Sequence, residues 1–379
     1  MNTPTIVVLI DGLDPEYLKA CPAPNLSAMA RQGFRVDGRG MTPSVTNVNN
    51  VSLVTGSYPQ QHGITSNYLL DKDLGEEFYM ESGEFLRAET MFQRASACGL
   101  RSLLVTAKDK LCRLLSDGVT VSISSEEPPD WVVSAVGEPP PIYSLEVNRW
   151  VLDAGRYAMS REPFDLVYLT TTDYAMHTYG PGRSESARHV TLLDEGLGAV
   201  REQSPDARML VTADHGMSDK TRMLHLPAEL ARYGISARAV PVIKDRYVVH
   251  HSNLGGSIYV HLENRTDINA AVDALLHLDG VEDALPGEEA ALRFHLMPER
   301  VGDIFVLADP ATVFGDPSEV TMPQGLRSHG SAHETTVPII GCGPGLDGGL
   351  AAARFRHNLD VGRYVFQDVL PPRPGGYAA

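Results

Sequence analysis

Cysteine is scarce in this chain of 379 residues. The four thiols, Cys21, Cys98, Cys112 and Cys342, show no CxxC spacing, which argues against a disulfide framework and suits reduced, mostly buried side chains. Long apolar runs are missing too: no segment reaches the roughly 18 apolar residues of a membrane span. The start of the chain carries no basic region followed by an apolar stretch, so a cytoplasmic protein is expected. Positive charge is the third shortage, with 32 Lys and Arg against 48 acidic residues and a net charge of -16. A non-specific binder of nucleic acid or of an anionic membrane would meet a repulsive mean field. A small anionic substrate stays compatible with that charge, because a bound metal pair outweighs distant surface charge locally. No internal repeat or low-complexity tract is evident.

What the chain does have is ample apolar material: 43% hydrophobic and 21% charged residues, enough for a large core. Thr5 to Ile10 is a β-branched apolar run without alternation, as in a strand buried on both faces of a parallel sheet. Similar runs recur at Leu103 to Val105, Asp165 to Thr170 and Arg208 to Thr212. Helices are expected at Pro24 to Gly33, Ala88 to Gly99, Tyr143 to Arg161 and Ser184 to Gln203, with Glu126 to Pro141 an irregular excursion. This rhythm predicts an α/β core with a mostly parallel central sheet flanked by helices. From about Asp219 it weakens: Arg246 to His251, Ser257 to Leu262 and Gly302 to Leu307 read as strands and Thr266 to Leu278 as a helix. Residues 219–326 are therefore expected to form an inserted α+β cap on a core made of 1–218 and 327–379. The tail from Pro371 to Ala379 is expected to be frayed.

Chemistry-bearing residues collect where these strands end, the edge at which ligands sit in open α/β sheets. Asp11 closes the first run, and Asp214 and His215 close another. Asp173 and His177 follow a third at a spacing that shares one helix face. His329 lies in a Gly-flanked turn, with His333 as its rival. Taken singly each has an ordinary reading, Asp11 as a helix cap, for instance, or Asp173 and His177 as a surface pair. As a set they are oxygen and imidazole ligands of the kind that bind zinc. Thr46 offers a hydroxyl in the Asn-rich stretch Thr42 to Gly56, and such a hydroxyl attacks only if something lowers its pKa or holds its alkoxide. Asn67 is either a turn residue or a donor to a developing oxyanion. Lys108 and Lys110 follow a strand aimed at the same rim as Asp11. His250 and His251, if in a strand, would point to opposite faces and could not act together.

The order Asp, Thr, Asp-x-x-x-His, Asp-His, His resembles that of the alkaline phosphatase superfamily, two-zinc phosphoryl-transfer enzymes with a Ser or Thr nucleophile. That resemblance implies two Zn2+ per chain, one held by Asp11, Thr46, Asp214 and His215 and the other by Asp173, His177 and His329. It favours His329 over His333 because the last ligand of such enzymes sits in a His-Gly turn. Within the superfamily the chain is similar to the phosphonoacetate hydrolases, with the nucleotide pyrophosphatase/phosphodiesterase group the nearest alternative. The similarity lies in Thr46 to Asn50, His62-Gly63-Ile64 with Asn67, Val105 to Leu111 and Tyr247 to His251. It implies Thr46 and Asn67 as catalytic, and Lys108, Lys110 and Asn67 as contacts to a small phosphonate substrate whose carbon-phosphorus bond is cleaved to acetate and phosphate. No nucleic acid or membrane partner is implied, and a homodimer is compatible with the sequence.

Overall fold

The apolar run at the start of the chain forms the strand Thr5–Leu9, buried along its length, and lies at the centre of a seven-stranded sheet. Across that sheet the order is Phe34–Arg39, Thr336–Cys342, Arg208–Thr212, Thr5–Leu9, Leu166–Thr170, Ser102–Thr106 and Val121–Ser124. The five strands from Arg208–Thr212 to Val121–Ser124 pair in parallel. Only Thr336–Cys342 runs against both of its neighbours. The protein is thus an α/β fold with a mostly parallel sheet. These relations come from a computed structural model that describes residues 3–72 and 74–373; the expected fraying of the tail beyond residue 373 lies outside the described residues.

Side chains alternate between the two faces of the sheet, as strand geometry requires. Val7, Leu9, Leu104, Tyr168 and Leu210 enter one apolar layer, completed by residues of the helices Thr46–Thr55, Met91–Ala97 and Leu359–Tyr364. Ile6, Val8, Leu103, Val167 and Val211 enter the other, completed by the helices Pro24–Gln32, Val147–Arg161 and Ser184–Gln203. With both faces covered, the central strands carry few polar residues until their ends. Register then decides where the polar residues emerge. Thr106, Thr170, Leu9 and Thr212 align in one row across four neighbouring strands. Lys108, Asp173, Asp11 and Asp214 therefore leave the sheet side by side.

A second, antiparallel sheet has the order Ala237–Pro241, Ser257–Leu262, Ile304–Ala308, Val281–Pro286. One face packs on the helix Ile268–Leu276. Tyr259, Phe305 and Leu307 of its other face enter the same apolar cluster as Val7 and Leu104, and the Tyr259 hydroxyl donates to the Thr65 carbonyl at 2.9 Å.

Two local expectations are corrected, and one stretch takes a form the sequence left open. Glu126 to Pro141 is not wholly irregular, since Asp130–Val136 is helical and buries Val132. Arg246 to His251 is not a strand: Val248–His251 is one helical turn. Its β-branched and aromatic residues suit a strand, but the Asp245 carboxylate accepts from the Tyr247 N–H at 2.8 Å and lies 3.0 Å from His251 Nε2, and these contacts outweigh local preference. The Asn-rich stretch is a helix, Thr46–Thr55, with all ten residues buried. Its amides have fixed partners: Asn47 Nδ2 donates to the Met80 carbonyl (2.8 Å), Asn49 Oδ1 accepts from the Met41 N–H (2.7 Å), and Asn50 Oδ1 accepts from the Tyr168 hydroxyl (2.7 Å).

Candidate functional site

The first group at the sheet edge is Asp11, Asp214 and His215, all fully buried. His215 Nε2 lies 3.4 Å from Asp11 Oδ1 and 3.4 Å from Asp214 Oδ2. Backbone N–H groups hold the carboxylate of Asp214: Gly12 donates to Oδ1 at 3.1 Å and His215 at 2.9 Å. Thr171 Oγ1 accepts from the Asp11 N–H at 2.9 Å and ties this strand end to the next.

The second group is built around Asp173, which precedes the short helix Tyr174–Thr178. The four-residue spacing places His177 over it as expected, with Nε2 2.9 Å from Asp173 Oδ2. His329 approaches the same oxygen at 3.6 Å. Its ring stacks on His215 with centroids 3.5 Å apart, so the two groups adjoin. His333 points elsewhere, to Glu282 at the surface.

A common device orients the three imidazoles. Nδ1 of His177, His215 and His329 faces the backbone carbonyl of Arg327 (2.6 Å), Gly216 (3.1 Å) and Ser44 (2.7 Å), respectively. Each ring therefore turns Nε2 toward the carboxylates, the outer-partner arrangement typical of metal-ligating histidine. Burial holds His215 below the ordinary imidazole range, and burial with the neighbouring His215 and His177 holds His329 well below it. Both are thus neutral, the form that can ligate a cation.

The carboxylates crowd one another. Burial raises Asp11 well above the usual range, helped by the charges of Asp173 and Asp214, and burial pushes Asp214 up to about 6. At Asp173 burial acts in the same direction, but the Lys108 ammonium and His177 outweigh it and hold the group well below. Asp11 Oδ1, Asp214 Oδ2 and His215 Nε2 are buried with no hydrogen-bond partner among the described residues. Buried polar atoms are rarely left so. Three such atoms, on two carboxylates and an imidazole within 4.8 Å of one another, fit a bound divalent cation.

Thr46 is the first residue of its helix and is 3% exposed. Two residues earlier, Ser44 holds His329 through its carbonyl, and its hydroxyl accepts from the Gly330 N–H at 2.9 Å. The Asn67 side-chain oxygen accepts from the Asn47 N–H at 3.2 Å, which leaves the amide nitrogen as its donor end. Lys108 and Lys110 are not solvated charges but are almost fully buried. Lys108 Nζ lies 3.2 Å from Asp11 Oδ2 and 2.9 Å from Asp173 Oδ1. Lys110 Nζ is paired with Asp245 at 2.5 Å. The Tyr247 ring approaches both, with its centroid 5.7 and 5.5 Å from the two ammonium groups.

Sequence reasoning set His250 and His251 aside as ligands and did not consider Asp245. In the helical turn Val248–His251, His250 Nε2 reaches 3.4 Å from Asp173 Oδ1 while His251 meets Asp245. The turn is fixed by Asp245, which holds the Tyr247 N–H and His251 and is itself paired with the distant Lys110.

Fold and site together define an α/β protein with adjoining Asp/His groups that could hold cations, and a threonine at a helix N-terminus two residues after the Ser44 carbonyl that orients His329. The chain belongs to the type I phosphodiesterase/nucleotide pyrophosphatase family, whose model matches residues 5–332. It is similar in structure to phosphonoacetate hydrolase from Sinorhizobium meliloti 1021, solved with phosphonoformate and with phosphonoacetate. With the first the TM-score is 0.87 at 34% identity, covering 96% of this chain and 95% of that one; with the second it is 0.86 at 33%. Murine ectonucleotide pyrophosphatase/phosphodiesterase 5 shares the fold, with a TM-score of 0.71 at 19% identity over 97% of this chain and 96% of that one. Among curated proteins, a venom phosphodiesterase of Naja atra is 26% identical over 230 residues, 57% of this chain and 26% of its own length. The chain spans about a quarter of the length of the curated relatives it matches.

Proposed function

We propose that this protein is a two-zinc hydrolase that cleaves the carbon-phosphorus bond of phosphonoacetate to acetate and phosphate through a phosphorylated Thr46. Asp11, Thr46, Asp214 and His215 would hold one ion, and Asp173, His177 and His329 the other. When bound, two zinc ions supply the positive charge that makes a hydroxyl nucleophilic near neutral pH and that takes up charge on the departing group. The chain's own residues do the rest. Thr46 Oγ1 attacks phosphorus, where the N-terminus of its helix favours an anionic group, and Asn67 donates its amide N–H to a phosphoryl oxygen. As the O–P bond forms, the C–P bond breaks and its electron pair passes to the methylene carbon and into the carboxylate. Water protonates that carbon to give acetate, and the hydroxide it leaves takes up the proton lost from the Thr46 hydroxyl. A second water then hydrolyses the O–P ester and restores Thr46.

The observation that carries this reading is the pair of buried ammonium groups at the rim of the carboxylate and imidazole centre. With Asp11 and Asp173 committed to cations, Lys108 loses its counter-charges and can take a substrate carboxylate, next to Lys110. A nucleotide ester has no carboxylate to offer them. A solved relative at 33% identity, in complex with phosphonoacetate, supports phosphonoacetate as the substrate. Residues 219–326 are read as a cap that carries Asp245 to Lys110. The second reading is a phosphodiesterase or nucleotide pyrophosphatase, favoured by the family match itself. A phosphate-release assay with zinc-loaded protein separates the two: turnover of phosphonoacetate well above that of nucleotide esters is expected, and the reverse preference rejects the hydrolase.

A further inference from the structure

Beyond the ligands assigned above, one further imidazole, that of His250, stands at the centre beside Asp173. His250 has a side chain that is 1% exposed, and neither ring nitrogen has a hydrogen-bond partner among the described residues. Its Nε2 is 3.4 Å from Asp173 Oδ1, the carboxylate edge opposite His177 and His329. Asp173, His177 and His250 bring three ligand atoms within 4.8 Å of one another. In tetrahedral zinc sites with bonds of about 2.0–2.1 Å, neighbouring ligand atoms are about 3.3–3.4 Å apart. The His250 to Asp173 separation therefore matches one edge of a coordination tetrahedron, as do the two edges from His215.

His250 differs from the other three histidines in one respect. They spend Nδ1 on backbone carbonyls, whereas Nδ1 of His250 is unpartnered and its ring is held by Tyr143 and Tyr174, with centroids 5.6 and 6.3 Å away. A ligand without that outer partner is less basic and less firmly oriented. It also comes from a turn that ends in two left-handed residues, Ser252 (φ 53°) and Asn253 (φ 55°). Such a backbone is uphill for serine, so this turn gives up little when it moves.

We propose that His250 is a displaceable fourth protein ligand of the Asp173 cation, bound in the substrate-free protein and released when an anionic substrate enters. This rests on the two-metal reading and deepens it. Catalytic zinc sites keep a position open for substrate; here that position would be filled at rest by His250 and vacated on binding.

The test uses the full chain and two variants. His250→Phe keeps the ring packing without a ligand atom, and His250→Ala guards against a fault peculiar to the larger ring. Zinc affinity is read by chelator competition, and coordination by the visible absorption of the cobalt-loaded protein. Expected is a loss of about tenfold in affinity for one of the two ions in both variants, with the other unchanged and the cobalt spectrum altered. Saturating inorganic phosphate should then bring the wild-type and variant spectra together. Native affinity and an unchanged spectrum in both variants overturn the proposal while leaving two-metal binding intact. A difference that persists in phosphate overturns the displaceable part, and a wild-type chain that binds no metal overturns the two-metal reading itself.

Discussion

Single residues at this site carry charges that only make sense in company. Thr46→Ala should keep fold and metal but lose turnover, while Thr46→Ser keeps part of it, as phosphate release on both variants would reveal; a near-normal alanine variant would mean that water attacks directly. For Lys108→Ala and Lys110→Ala, losses of about 30-fold to 1,000-fold in kcat/KM are expected on phosphonoacetate, with near indifference on a nitrophenyl phosphate ester. Equal losses on both substrates would remove the lysines from carboxylate binding. Lys108 has a further duty, because in metal-free protein its ammonium offsets Asp11 and Asp173. Lys108→Ala should thus lower the Tm of the metal-free form more than that of the zinc form. His62 reports on pH. Its Nδ1 accepts from the Ile64 N–H at 3.1 Å and its Nε2 meets Ser52 Oγ at 2.8 Å, so it is held neutral, and burial lowers its pKa to about 3. The unfolded chain protonates this ring below about pH 6.5, so stability is intact above that pH and falls as pH drops toward 3. His62→Gln should remove part of that slope in Tm measured between about pH 4 and 7.

At the level of elements, the strand ends were the readable part. Asp11, Asp173 and Asp214 follow apolar runs whose burial on both faces leaves no other place for a charge, and parallel register then aligns them. The helix that begins at Thr46 was harder to read, since Asn and β-branched residues are poor helix formers. What makes Thr46–Thr55 a helix is its surroundings: three amides with fixed partners and a glycine contact to the helix Leu359–Tyr364. A methyl group at Gly362 would overlap the Leu53 carbonyl oxygen. Gly362→Ala should therefore push the two helices apart, at a cost of about 1–3 kcal/mol. Thermal melting should register it, together with a fall in turnover as Thr46 shifts; an unchanged Tm would show that the contact relaxes freely. His250 and Asp245 escaped sequence reasoning for the same kind of reason. The turn that carries them is shaped by side-chain contacts more than 100 residues distant along the chain, through Lys110.

Across the whole molecule, the alternation of buried strands and amphipathic helices was enough to predict a mostly parallel α/β sheet. The edge strands Phe34–Arg39 and Val121–Ser124 were not foreseen, because partly exposed strands mix charge, glycine and serine with their apolar residues. The second sheet shares an apolar cluster with the first, so the core and the site should respond as a unit. Metal analysis should find about two zinc ions per chain, and chelation should abolish turnover and lower the Tm, since crowded buried carboxylates then lose their counter-charge. Full activity without metal would end the two-zinc assignment. The imidazoles held by the carbonyls of Arg327, Gly216 and Ser44 bear on how such a protein can change over generations. A carbonyl belongs to the main chain, and no point substitution deletes it. The aim of the three rings is thus insured against most mutations of the residues that set it, whereas the Lys110, Asp245 and His251 contacts are made entirely by side chains and can be exchanged one at a time. Variation has room to accumulate on that side of the site while the half aimed by the three carbonyls stays in place.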